Sequence, residues 1–221
     1  MKIVKILDAS QINYVNNLIG DMEFHDGKKT AHGLAKKVKL NKQAVAEGDK
    51  YKELIMYIND IFRNNSWLKK RYLPSKFSKP LINKYEVGDC YGRHFDSSHA
   101  FTGSGSTRVD WSFTLMLSSN SDYEGGELKI ETGSVTHEVK LDAGDLVIYP
   151  SSYIHSVLNI TKGKRIAYVG WIASHIKDQL GFETINAYED MHLALTKYNL
   201  SEEDILSLSY VQNKLQSLIS N

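Results

Sequence analysis

From Leu81 to about Ser174 the apolar residues lose the helical spacing found on either side, and an all-β core follows from that loss. Short runs rich in β-branched and aromatic residues alternate there with turn signals, at intervals suited to a sandwich or barrel. The clearest run is 111–117. Trp111, Phe113, Leu115 and Leu117 fall on one face and Ser112, Thr114 and Met116 on the other, the period of a strand. Gly125-Gly126 predicts a turn, with strands near 127–132 and 135–140 after it. Asp142-Ala143-Gly144-Asp145 turns into the apolar run Leu146-Val147-Ile148-Tyr149, which Pro150 ends. Runs at 154–160 and 164–173 meet at Thr161-Lys162-Gly163. With 81–87 and 91–96 the count is about eight strands, the number in a double-sheet jelly roll.

Helical spacing flanks this region. Ser10 is placed to cap a short helix with Ile12, Val15 and Ile19 on one face. Tyr51, Leu54, Ile55, Ile58, Ile61 and Phe62 form the buried stripe of a second helix. Met191, Ala194, Leu195 and Tyr198 form a stripe near the C-terminus. Ser201 and Asp204 predict a capping box ahead of Leu208, Val211, Leu215 and Leu218. The expected fold is mainly β with flanking helices, a double-stranded β-helix. An N-terminal helical or mixed segment (1–80) packs on the catalytic core (81–174), and C-terminal helices (175–221) follow. Those helices either lie on the outside of the barrel or form a dimer contact, so monomer and homodimer both stay open.

Composition excludes several classes. A net charge of +1 removes the electrostatic case for nucleic acid as the main partner. No apolar run approaches the roughly 18 residues of a membrane span. Lys5 breaks the apolar stretch at the start, against a signal peptide. Cys90 has no partner for a disulfide within the chain, so an oxidising compartment is not implied. The expected location is the cytoplasm.

The chemistry lies in the stretch Tyr85 to Asp96. On a strand, residues two apart share a face, so His94 and Asp96 project together and can hold two cis positions of a metal. Alone, the pair fits equally a surface histidine beside an aspartate in a turn. His155, which follows Pro150-Ser151-Ser152-Tyr153, supplies a third ligand, or else is a buried structural histidine. Together the three make the two-histidine, one-carboxylate facial triad of non-haem Fe(II) oxygenases, which leaves metal positions free for a cosubstrate and O2. Arg165, across the turn at Gly163 on the neighbouring strand, offers a fixed cation at some distance from the metal, or else belongs to a solvated basic turn. A dicarboxylate that chelates iron at one end needs such an anchor at the other, and 2-oxoglutarate is that molecule. A zinc hydrolase could use the same three ligands, but no general base is evident and Arg165 would have no purpose. A non-catalytic jelly-roll module needs neither.

The chain resembles the PKHD-type hydroxylases, in the prolyl 4-hydroxylase-like branch of the Fe(II)/2-oxoglutarate-dependent dioxygenases. The resemblance runs from Tyr85-Glu86 through His94-x-Asp96, Arg108-Val109-Asp110-Trp111-Ser112 and Asp122-Tyr123-Glu124-Gly125-Gly126-Glu127-Leu128. It continues through Ala143-Gly144-Asp145-Leu146-Val147, Tyr149-Pro150-Ser151-Ser152, His155, Arg165 and Trp171-Ile172. Asp26-Gly27, Ala35-Lys36-Lys37-Val38-Lys39 and Asn41 match the family's first segment less specifically. The resemblance implies that His94, Asp96 and His155 bind Fe(2+). It further implies that Arg165, helped by Tyr85, binds 2-oxoglutarate, and that Tyr91 and Trp171 line the substrate pocket; core packing is the alternative for all three aromatics. Its implied activity is hydroxylation of a prolyl residue in a peptide or protein, coupled to decarboxylation of 2-oxoglutarate to succinate, with ascorbate as a further candidate ligand.

Ser97–Thr107 is small and polar, and by resemblance it is a substrate-gripping flap, although its sequence departs from the family's Arg- and Asp-richer version. Gly103-x-Gly105 within it is no phosphate loop, because no helix pattern follows. His99 is read as solvated and Cys90 as a small core residue. His25, His32, His137, His175 and His192 carry no expected role.

Overall fold

The computed structural model describes residues 1–31, 33–102 and 105–219, so His32 and Gly103 lie outside the described residues. The chain opens with β1 (Lys2–Lys5), α1 (Ala9–Gly20), β2 (Phe24–Asp26), a 3-10 turn (Gly27–Thr30) and the short α2 (Gly33–Lys37). Next come β3 (Lys39–Leu40), β4 (Lys42–Ala44), α3 (Asp49–Asn64), α4 (Ser66–Tyr72) and β5 (Pro74–Phe77). The central strands begin with β6 (Leu81–Tyr85), β7 (Cys90–His94), β8 (His99–Thr102), β9 (Gly105–Arg108), β10 (Trp111–Met116) and β11 (Tyr123–Gly125). They end with β12 (Leu128–Thr132), β13 (Val135–Val139), β14 (Asp145–Pro150), β15 (Ile154–Val157), β16 (Ile160–Gly163) and β17 (Arg165–Ser174). Helices α5 (Gln179–Leu195) and α6 (Glu202–Ile219) follow.

Two sheets face each other as a double-stranded β-helix. The larger has the order β1-β14-β10-β17-β6-β4-β2, with β5 also on β17; the smaller has the order β13-β12-β15-β7-β3. Side-chain parity divides the larger sheet between two tasks. Trp111, Phe113, Leu115, Leu146, Ile148, Ile166, Tyr168 and Ile172 face α1, α3 and α4 and join Val15, Leu54, Ile58 and Phe62 in one core. Met116, Val147, Tyr149 and Ala167, of opposite parity, join Tyr85, Leu128, Ile130 and Val157 between the sheets. Burial on both faces explains why β10, β14 and β17 are so apolar. Ser112 and Thr114 are the exceptions on β10, and both point between the sheets with less than 5% exposure. No helix among the described residues is long and apolar enough to cross a membrane.

Several local expectations change. The runs at 154–160 and 164–173 do not meet at a turn. Residues 160–163 form their own strand, paired with β11, and the chain passes to the other sheet before β17. Gly125 and Gly126 make this close pairing possible: both have positive φ (74° and 68°), and a Cβ on Gly125 would lie 2.0 Å from the Asn159 carbonyl oxygen. Asp8, not Ser10, caps α1. Its carboxylate accepts from the Gln11 amide at 2.9 Å while the Gln11 side chain accepts from the Asp8 amide, a reciprocity that Ser10 cannot make.

At the other end, α5 stops at Leu195 and buries Ile185 and Tyr188, so Met191, Ala194 and Tyr198 stay exposed. The Ser201–Asp204 box forms as expected, and α6 packs on α5 through the Tyr188 hydroxyl and the Leu208 carbonyl. Cys90 is half-buried at the start of β7 and is not a core residue. In and beside the 97–107 segment the described residues His99–Thr102 and Gly105–Arg108 pair as antiparallel strands, β8 with β9. The first 80 residues also supply strands to both sheets, through β1, β4 and β2 on the larger and β3 on the smaller.

Candidate active site

A cavity of about 650 Å³ opens between the sheets, and it touches every residue singled out for chemistry: His94, Asp96, His155, Arg165, Tyr85, Tyr91 and Trp171. His94 ends β7 and pairs in register with His155 on β15, which brings the two rings to 4.2 Å between centroids. Asp96 lies two residues past the strand end, not on it. A bond from its backbone amide to the Ser151 carbonyl (3.2 Å) folds it back toward the histidines. One ligand atom from each of the three side chains falls within 4.8 Å of the others, and His155 Nε2 is 3.7 Å from Asp96 Oδ2.

Second-layer bonds fix the chemistry of these groups. His94 Nδ1 lies 2.8 Å from the Gly92 carbonyl and His155 Nδ1 lies 3.0 Å from the Tyr153 carbonyl. A carbonyl only accepts, so each Nδ1 carries a proton and each Nε2 is the ring nitrogen left to take a metal. Ser112 Oγ donates to Asp96 Oδ2 at 2.5 Å, which gives the polar parity of β10 its purpose. Burial, then the neighbouring His155, pushes the His94 pKa down to about 4. His94 is thereby held neutral, the form that binds a metal.

Tyr91 and His94 are three residues apart and should face opposite ways. A bulge prevents this: β7 spends four residues, 91 to 94, against three on β15, 155 to 157. Tyr91 therefore turns inward and stacks on His94, with ring centroids 3.6 Å apart. Arg93 is left outside, paired with Glu131 by two bonds of 2.7 Å.

Arg165 starts β17 on the facing sheet, not on a strand beside His155. Register places it opposite Tyr85, and its guanidinium lies 5.3 Å from the Tyr85 ring centroid. It is 2% exposed, forms no ion pair among the described residues, and its Nε has no partner. Gly126 makes room for it, since a Cβ there would lie 3.1 Å from Arg165 Cδ. A buried, unpaired cation costs several kcal/mol unless an anion joins it. Tyr85 and Tyr149 cannot be that anion: burial pushes the phenol of Tyr85 up to about 12 and that of Tyr149 well above its ordinary value. The donor set and the orphaned guanidinium together fit a divalent metal chelated by a dicarboxylate.

Fragments that carried the resemblance prove to be braces. Asp110 accepts from Arg108 Nε (2.6 Å) and from the Ser174 amide (2.7 Å), and Ser151 Oγ donates to the Val109 carbonyl (2.7 Å). Sequence reasoning gave no role to Ser112, Asn83, Tyr149 or the buried Lys39, all of which line the cavity. For Ser112 the signal was present, in a polar residue on a strand whose other face is wholly apolar. His99 is exposed, as expected, although it lines the cavity rim.

Residues 80–173 match the model of the 2OG-Fe(II) oxygenase superfamily. A PKHD-type hydroxylase of Hyphomonas neptunium is 39% identical over 179 residues, covering 80% of this chain and 79% of its own. One from Alteromonas mediterranea is 34% identical over 213 residues, covering 95% and 94%. Among solved structures, a Pseudomonas putida prolyl-4-hydroxylase superposes with a TM-score of 0.52 at 17% identity, covering 78% of this chain and 91% of that one. A Trichoplax adhaerens prolyl hydroxylase, in complex with a hypoxia inducible factor oxygen degradation domain peptide fragment, gives 0.56 at 18% identity, covering 77% and 82%. These two share the jelly-roll fold. The zinc-hydrolase and binding-module alternatives fall away, and the chain belongs to the PKHD-type hydroxylases, Fe(II)- and 2-oxoglutarate-dependent dioxygenases.

Proposed function

We propose that this enzyme hydroxylates a prolyl residue of a peptide or protein, coupled to decarboxylation of 2-oxoglutarate to succinate. In this reading His94, Asp96 and His155 hold the iron, Arg165 and Tyr85 hold the far carboxylate of 2-oxoglutarate, and Tyr91 and Trp171 line the place of the target ring. The observation that carries the reading is the buried, anion-less Arg165 at the end of a cavity that also holds the His-Asp-His cluster. Bound iron and 2-oxoglutarate supply the oxidation, in which O2 gives one atom to succinate and one to a substrate C–H.

The chain's own residues set the conditions. The Gly92 and Tyr153 carbonyls hold the imidazole protons away from the metal side. Ser112 holds the Asp96 carboxylate, and Leu128, Val157 and Val169 form an apolar wall of the cavity. The loaded site is also neutral: two positive charges of iron and one of Arg165 equal one negative of Asp96 and two of 2-oxoglutarate.

An extended substrate suits the surface. A second cavity, of about 620 Å³, runs from Asp96, Phe95 and Val109 toward Ser152 and the start of α5. It shares those first three residues with the main cavity, so a chain crossing the metal would have room on both sides. The peptide complex of the Trichoplax adhaerens relative supports the same reading. Incubation with Fe(II), 2-oxoglutarate and proline-containing peptides should give a mass gain of one oxygen on proline; succinate formation with no oxygen on any prolyl peptide would overturn the substrate. Ser112→Ala is expected to weaken Fe(II) binding about 10- to 100-fold by freeing Asp96, read as the Fe(II) concentration for half-maximal succinate formation.

A further inference from the structure

Lys39 is 3% exposed, lines the main cavity and has no part in the reaction described so far. It opens β3 in register with Tyr91, and its ammonium lies 5.2 Å from the centre of the Tyr91 ring, the ring that stacks on His94. It is thus held on the metal side of the cavity by an aromatic that itself touches the His-Asp-His cluster. Asp96 and Asp26 are the carboxylates whose charge reaches it, but neither forms an ion pair with it, and exposed Asp26 already accepts from the Lys28 amide at 2.9 Å.

Its hydrogen bonds run in one direction. An ammonium only donates, so Thr30 Oγ1, at 3.2 Å, accepts from it. Thr30 donates onward to Gln43 Oε1, and Gln43 Nε2 donates to Asn83 Oδ1 at 2.7 Å. The chain ends on the Asn83 amide N–H groups, which have no acceptor among the described residues and belong to a side chain that lines the same cavity. Two donor ends, the Lys39 ammonium and the Asn83 Nδ2 group, therefore belong to side chains that line one cavity.

We propose that Lys39, with Asn83, forms a carboxylate-binding subsite for the substrate of this enzyme. The charge count supports an anion there, and this step rests on the proposed cofactor arrangement: the loaded site is neutral without Lys39, so Lys39 is the cation left over. A carboxylate on the substrate would neutralise it, and an unpaired buried charge is costly. The carboxylate can belong to the target residue itself or to an acidic side chain next to it in a peptide.

The test uses the whole protein, anaerobic and loaded with Fe(II) and 2-oxoglutarate, and calorimetry with small probes. N-acetyl-proline is compared with N-acetyl-prolinamide, and the amidated dipeptides acetyl-Asp-Pro and acetyl-Pro-Asp with their asparagine counterparts. The expected result is that one acid binds at least tenfold more tightly than its neutral partner, which also identifies the source of the carboxylate. Lys39→Met should erase that contrast. Asn83→Asp, which keeps the acceptor for Gln43 but replaces the cavity donor with a negative charge, should erase or invert it. Equal affinity for acid and neutral probes in the natural protein, or no binding by any acid, overturns the subsite even where both variants fail to fold. A Lys39→Met protein that loses 2-oxoglutarate but keeps the acid contrast overturns it too. Failure of the prolyl reading is separate: it would be acid-selective binding with no oxygen added to any prolyl peptide.

Discussion

Replacing His155 with alanine is expected to lower iron-dependent succinate formation by about a thousandfold or more. In the proposed arrangement the residue supplies the Nε2 donor from the strand beside His94, and His94 with Asp96 alone is expected to hold Fe(II) too weakly for turnover. The protein should still fold, because the two backbone ladders of β15, to β12 and to β7, do not use the side chain. Urea unfolding checks this, and His137→Ala, on the outer strand β13, serves as the control that keeps full turnover. Iron-dependent succinate production retained in the folded His155 variant would remove His155 from the metal.

The second large effect concerns Arg165. Arg165→Met should raise the 2-oxoglutarate concentration for half-maximal turnover at least a hundredfold, since the proposed charge-assisted contact to its far carboxylate is lost. It should also abolish the weak visible band that Fe(II) and 2-oxoglutarate give together under anaerobic conditions, while Fe(II) still binds. The same substitution has an opposite effect on the empty protein. It removes a guanidinium that is 2% exposed and without an ion pair, and exchanging buried charge for an apolar side chain of similar volume is often neutral or stabilising by about 1–4 kcal/mol. The ligand-free variant should therefore unfold at equal or higher urea than the natural protein, and 2-oxoglutarate should add no protection. Unchanged 2-oxoglutarate affinity would refute the role given to Arg165.

Much of this was legible in the chain because strand parity is local. The alternation over 111–117 separated two faces, and the structure turns Trp111, Phe113, Leu115 and Leu117 to the helices and Ser112, Thr114 and Met116 inward. The spacing His94-x-Asp96 was readable for a partly wrong reason, since Asp96 has left the strand and is carried by the Ser151 carbonyl instead. Other features depend on contacts far apart in sequence. The bulge that turns Tyr91 inward exists only in the pairing of β7 with β15. The placement of Arg165 on the opposite sheet depends on β16 pairing with β11. Lys39 entered the sequence reading only within the family-like segment Ala35-Lys36-Lys37-Val38-Lys39, and it is two residues of strand that lay it against Tyr91. No periodicity can be read from so short an element.

The way the first 44 residues are used has a practical consequence. Strands β1, β4 and β2 cover one end or the other of the larger sheet, and β3 covers the end of the smaller one at β7. A fragment trimmed to the family-matched residues 80–173 would uncover β14, with its Leu146-Val147-Ile148-Tyr149 run, as a bare edge. Such edges template intermolecular strand addition. That fragment should precipitate on expression, and the amino-terminal segment is therefore the part that keeps these molecules from sticking to one another.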